Sequence, residues 1–245
     1  MQQNEADINE KRKQKLELIA IIGLGIATFF NAFTAFQSSQ HSGAMNFLYT
    51  TTTALVNQTT TMAIMAQTES HGDRSVYMRL IELEQGWQSA PEGSDERQRA
   101  ERAYLDFRER FVDENLEAAI AWSDGHYADT GEYVSPFESP AYLEELLEAT
   151  MELGAMADRM AEEGNKHNAV SDRMFLMTVF YTTVMFLLGI CGTLKNWKHK
   201  VAILIFSGVL FAVATVMLAQ QPLFPDAEKT YADIMADFLA KYSGG

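Results

Sequence analysis

From Leu18 to Gln67 the chain carries no Asp, Glu, Lys or Arg, the stretch being bounded by Glu17 and Glu69. Its first part, Leu18 to Phe36, is apolar and close to the roughly 20 residues that an α-helix needs to cross a bilayer. Its second part, Gln37 to Gln67, is rich in Thr, Ser, Gln, Asn and Met and has no proline. At about 1.5 Å per residue the whole would reach roughly 75 Å as one helix, against a hydrocarbon core of about 30 Å. The pattern predicts a membrane helix that continues outward as a helix covered by other protein. Met174 to Leu194 and Val201 to Phe224 are also apolar and uncharged, and each is long enough to span. The expected fold is all-α and integral to the membrane. Three transmembrane helices carry an extracytoplasmic helical bundle continuous with the first and second spans.

The expected boundaries are a cytoplasmic basic tail at 1–17, polar and frayed, and a first span at 18–37. An acidic outer helical domain covers 38–173. Spans at 174–194 and 201–221 flank a six-residue turn at 195–200, and an amphipathic tail covers 222–245. Lys and Arg in short loops set orientation. Lys11, Arg12, Lys13 and Lys15 precede the first span, and Lys195, Lys198 and Lys200 fill the turn. Both belong on the cytoplasmic side, which puts 38–172 and the C-terminus outside a cell (inner or plasma) membrane. A cleavable leader also begins with basic residues, but this run is long and lacks a small-residue cleavage site, so a retained anchor is expected.

Charge sharpens this division. The net charge is −14, and residues 38–172 alone hold 25 acidic against 9 basic side chains. Such a surface disfavours nucleic acid and anionic headgroups and draws cations or basic partners; a solvated, self-repelling face is the plainer reading. The single cysteine, Cys191, lies within a span, so no disulfide framework exists, and a prokaryotic envelope is favoured.

Two periodicities mark packing faces. Gly23, Ala27, Asn31, Ala35, Ser39 and Gly43 recur every four residues, a small-residue stripe of the kind that lets helices approach closely in lipid. Farther along, Met45, Leu48, Thr52, Leu55, Thr59, Met62 and Ala66 form a heptad-like seam. Gly23, Ala27, Asn31, Ala35, Ser39, Gly43, Leu48, Leu55 and Met62 are therefore the candidate helix-packing or oligomer-interface residues. Asn46, Thr50, Thr53, Asn57, Thr60 and Gln67 form a second seam that is polar and uncharged, where a surface helix normally carries charge.

In the outer region, His71-Gly72-Asp73 is a candidate bend, and Ser89 to Ser94 with Pro91 and Gly93 is a break. Ser94 can cap a helix running to about Trp122, with Asp95 and Glu96 in its first turn. That helix offers Tyr104, Phe107 and Phe111 on one side and Leu105, Val112, Leu116 and Ala119 on another. An irregular loop is expected over Asp124 to Ser139, then a helix opened by Pro140 with Leu143, Leu146, Leu147, Thr150, Leu153, Ala157 and Met160 inward. Residues 227–242 read as an amphipathic helix with Tyr231, Ile234, Phe238 and Leu239 inward.

Catalytic signatures are missing from the chain: no phosphate loop, no zinc-protease motif and no nucleophile elbow. No acidic residue lies three before a histidine, so di-iron Glu-x-x-His pairs do not occur. Glu163 and His167 share a helical face and could meet a metal, although an exposed ion pair is the simpler reading. Asp124, Asp129 and Glu132 lack EF-hand spacing. No enzyme and no cofactor are expected.

Tyr104-Leu-Asp-Phe-Arg-Glu-Arg-Phe111 and Ser135-Pro-Phe-Glu-Ser-Pro-Ala-Tyr142, set between one N-terminal span and a closing hairpin, resemble a group of three-span prokaryotic membrane proteins. In these a Phe-Arg-Glu-Arg-Phe stretch precedes a Ser-Pro-Phe…Pro-x-Tyr loop and helix. The likeness covers roughly residues 17–220, with the acidic tail as an addition. It implies topology and structural roles for both motifs, and no activity.

The leading functional expectation is a non-catalytic scaffold or accessory subunit that associates with its own copies or with other membrane proteins. The alternative is a homo-oligomeric channel whose neutral lumen is lined by Thr28, Asn31, Thr34, Thr50, Thr53, Asn57 and Thr60, with the acidic outer domain gathering cations. A ligand sensor ranks third, because the short cytoplasmic parts offer no output domain.

Overall fold

The structure is a computed structural model that describes the backbone of residues 2–242 and the side chains of residues 10–240. It is 89% helical, with no strand among the described residues. Three of its helices are long and apolar enough to cross a membrane.

Helix α1 runs from Gln2 to Ser89 without interruption. The tail expected to fray is helical from its second residue, and the bend expected at His71-Gly72-Asp73 does not occur. A lone glycine costs a helix about 1 kcal/mol, too little to break one that packs along its length. Pro91 and Gly93, the latter at φ 77, end the run. Ser94 then caps α2 (Asp95–Phe111), accepting the Arg97 N–H at 3.1 Å.

The single helix expected to reach Trp122 is two helices. Asp113 accepts the Leu116 N–H at 2.8 Å and starts α3 (Glu114–Thr130), so Leu116 and Ala119 belong to a different helix from Tyr104. The irregular loop is correspondingly shorter. It starts at Gly131, in the left-handed region at φ 75, and holds one 3-10 turn, Pro136–Glu138. Pro140 opens α4 (Pro140–Cys191), which continues unbroken into the second apolar segment. Asn196 caps α5 (Trp197–Ala219), and α6 spans Ala227–Tyr242.

The chain divides into two compact units, Thr53–Ala157 and the residues up to Thr52 together with those from Asp158. The 53–157 unit has an aromatic core of Leu80, Tyr104, Leu116, Ile120, Phe137 and Tyr142. Both motifs of the resemblance serve it. Arg108 holds Glu117 through two contacts and donates to the Tyr104 hydroxyl at 3.1 Å, which fastens α2 to α3. Phe137 meets Tyr77 and Tyr142 edge to face and lies under Arg74 at 5.1 Å. Phe111 and Leu105, expected inward, are 58% and 53% exposed. On α4, Leu143 and Leu147 also face out, while Met156 joins Leu153 and Ala157 inside.

In the other unit, the apolar parts of α1, α4 and α5 pack on Ala20, Ala27, Val184 and Leu188, and on Met174, Met177, Tyr181 and Ala214. Their outer faces carry exposed Ile22, Phe29, Phe186, Phe206 and Val209. Helix α6 lies against α1 and α4 through Tyr231 on Phe47 and Asp237 near Arg159 at 3.8 Å; Leu239, expected inward, is exposed. The turn lysines divide as well. Lys195 and Lys198 are exposed, but Lys200 is buried and its ammonium is held by Glu17.

Candidate functional site

The buried face of α1 repeats every seven residues: Ala20, Ala27, Thr34, His41, Leu48 and Leu55 are all buried. The seam recognised at Leu48 and Leu55 therefore extends back through the apolar segment. The small-residue stripe behaves differently, because each step of four advances about 40° beyond a full turn and drifts off the packed face. Gly23 approaches Leu188 so closely that a Cβ there would lie 3.2 Å from a Leu188 methyl, Ala27 is buried, and Asn31 is half-buried. Ala35, Ser39 and Gly43 are exposed. Leu48, Leu55 and Met62 lie on the packed side of α1, so they are core positions of this chain.

Antiparallel to this face, α4 supplies matching polar groups. Thr182 donates to the Asn31 side-chain oxygen at 3.1 Å, and the Thr34 and Thr178 hydroxyls meet at 3.2 Å. Ser38 and Ser171 exchange hydroxyl-to-carbonyl bonds, each 3.1 Å, while the Ser42 hydroxyl lies 2.8 Å from that of Ser171. Tyr49 donates to Asn165 at 2.6 Å. The lumen proposed for a channel is thereby split. Asn31 and Thr34 are spent on α4 of the same chain, whereas Thr28, Thr50, Thr53, Asn57 and Thr60 are exposed.

One step of the ladder is chemically distinct. His41, 1% exposed, points its Nδ1 at Nδ1 of His167, 3.0 Å away. Its Nε2 lies 3.1 Å from the Pro222 carbonyl oxygen, in the segment joining α5 to α6. A carbonyl can only accept, so His41 carries its proton on Nε2. Its Nδ1 is then the acceptor, and His167 donates from Nδ1. Beside this node Gln37, fully buried, accepts the Phe224 N–H at 3.1 Å. That contact holds Phe224 at φ 57, a left-handed conformation that costs a non-glycine residue about 1 kcal/mol or more. The Gln37 Nε2 has no hydrogen-bond partner among the described residues.

Burial lowers the pKa of both histidines from the ordinary 6.5. For His41 the neighbouring His167 adds to the effect and the Pro222 bond opposes it; for His167, Glu163 opposes it. The ion pair expected between Glu163 and His167 is not formed, since Glu163 holds Lys166 at 2.8 Å. Among the described residues no three His, Cys, Asp or Glu side chains gather to hold a metal, and Asp124, Asp129 and Glu132 stay apart on that count. Sequence reasoning passed over His41. The signal that would have found it is the heptad step of seven from Leu48 and Leu55.

No family model matches the chain, and neither the curated proteins nor the solved structures contain a match.

Proposed function

We propose that the chain is a multi-pass protein of a prokaryotic cell membrane, N-terminus cytoplasmic and C-terminus outside, that acts without catalysis as a self-associating scaffold or accessory subunit. Embedding is supported by the exposed apolar side chains ringing α1, α4 and α5, which water would penalise by about 25 cal/mol per Å². Outward placement of 53–157 is supported by its acidity and by the basic N-terminal tail and turn.

The observation that carries self-association is the exposed face of α1 at Asn46, Thr50, Thr53, Asn57, Thr60 and Gln67. The Thr50 and Thr60 hydroxyls donate to the carbonyls of Asn46 and Val56, one turn back, at 2.8 and 2.9 Å. Hydroxyls turned onto their own backbone leave methyl groups outward, beside exposed Val56, Ile64 and Met65. The occupant we assign to this face is a second copy of the chain. Two molecules of net charge −14 repel wherever their acidic surfaces meet; along this face they meet without charge. Mass measurement of the full chain in mild detergent tests this. The expected result is a discrete homo-oligomer that dissociates in Asn57→Glu/Thr60→Glu. A monomer at every concentration would refute it.

A further inference from the structure

We propose that the His41–His167 pair is a proton-operated latch that holds the segment joining α5 to α6 against α1 and α4. The latch lies within one chain and is independent of self-association.

Three elements meet at it: α1 through His41, α4 through His167, and residues 220–226 through the Pro222 carbonyl. With His41 protonated on Nε2, the two rings share one proton along the Nδ1···Nδ1 line. A first added proton is accommodated on Nε2 of His167, which is half-buried and faces the favourable charge of Glu163. A second has only Nδ1 of His41 to occupy. There it sets N–H against N–H at 3.0 Å between two cationic rings, in a position from which water is excluded, and the pair titrates as a coupled unit. The rings must then part. When His41 moves, the carbonyl of Pro222 loses its donor, and the neighbouring bond from Phe224 N–H to Gln37 is left to hold a strained residue alone.

The surroundings offer little to neutralise that second charge. Helix α1 has no Asp, Glu, Lys or Arg between Glu17 and Glu69, Tyr49 being the nearest titratable neighbour along it, and residues 220–225 have none. On α4, Glu163 is engaged by Lys166, which also holds Glu162 at 3.1 Å, while Asp172 and Arg173 are exposed. On α6, Tyr231 lies on Phe47 and Asp237 faces Arg159. Acidification therefore frees the C-terminal segment, and α6 with it, while the apolar helices stay packed.

The test is amide hydrogen exchange of the full chain in detergent or nanodiscs at pH 7.5 and pH 5, corrected for intrinsic rate, with α2 and α3 as internal reference. Protection of residues 221–226 should fall by about tenfold or more at pH 5, because the open form takes up the second proton more readily than the closed one. His167→Gln keeps a donor for His41 and removes the second charge, so its protection should change little with pH. His41→Lys places a fixed charge at the node and should open the segment already at pH 7.5. Unchanged protection in the native chain, or native pH dependence surviving in His167→Gln, would overturn the latch. Should His41→Lys fail to fold, the His167→Gln comparison still decides.

Discussion

In residues 53–157 the interior is mainly Leu, Ile, Phe and Tyr with some Ala and Met, and most acidic side chains stand outside. In the unit formed by residues up to 52 and from 158 onward, Ile, Val and Phe crowd the exterior of the three apolar helices. Thr34, Gln37, His41, Ser171, Lys200 and Ser207 are buried within. In 53–157 the buried polar residues are Ser123, whose hydroxyl donates to the Val134 carbonyl, and Ser139, with the Thr150 hydroxyl and one Glu152 carboxylate oxygen also out of contact with water. Both interiors are mainly apolar; the units differ in how many polar side chains lie within and in how apolar the exterior is. Water selects the one, because apolar area is hidden from it. A nonpolar surrounding permits the other, because there a polar group gains by turning inward to a partner, which agrees with the membrane placement proposed above.

If that contrast holds, damage should differ by unit. Phe137→Ala empties a pocket shared with Tyr77 and Tyr142 and should cost about 3–5 kcal/mol. Hydrogen exchange should show the loss in α2 and α3 and leave the Thr34–Thr178 region protected. Glu17→Gln leaves the buried Lys200 ammonium without its counter-charge, a cost of roughly 2 kcal/mol once the partial exposure of Glu17 is allowed for. Thermal unfolding in detergent should record that loss, and Lys200→Met, which removes the charge as well, should record a smaller one. Gly164→Ala would put a Cβ 2.8 Å from the Tyr49 ring, forcing the ring aside and weakening its bond to Asn165, for about 1–2 kcal/mol.

Proton linkage gives the smallest and most discriminating effect. Burial holds the folded pKa of both His41 and half-buried His167 below 6.5, so the unfolded chain binds protons first as pH falls. Their unit is expected to lose stability below about pH 6.5. In 53–157, burial and the bond to Asp73 push the Tyr142 hydroxyl up to about 12, and burial also raises Tyr77. There the folded state holds its protons longer, so stability is lost as pH rises from about 10 towards 12. Exchange measured at both extremes should show acid loosening the histidine-bearing unit and alkali loosening 53–157.

How much of this was legible in the sequence follows from which forces are local. The three apolar helices, the Ser94 cap, the Pro140 start and the bounds of α6 rest on nearby residues and were readable. The Asp113 cap was readable too, but the spaced apolar positions Phe107, Phe111, Val112, Leu116 and Ala119 masked it. The histidine node was not readable as a pair, since it depends on the antiparallel register of α1 and α4, which brings residues 126 positions apart in sequence to 3.0 Å. Only half of it, the placement of His41 on the buried heptad, was encoded locally. The four-residue stripe lies only partly on the packed face for a geometric reason: a period of four drifts around the helix, so Gly23 and Ala27 pack within the chain while Ala35, Ser39 and Gly43 face outward.

The contrast between the two exteriors is tested most directly by single-cysteine labelling in sealed membranes, in a Cys191→Ala background, with a membrane-impermeant maleimide. Phe29→Cys, Phe186→Cys and Val209→Cys should stay unlabelled from either side, Glu101→Cys should label only from outside, and Lys198→Cys only from within. Ready labelling of the three apolar positions, or labelling of Glu101→Cys and Lys198→Cys from the same side, would contradict the account.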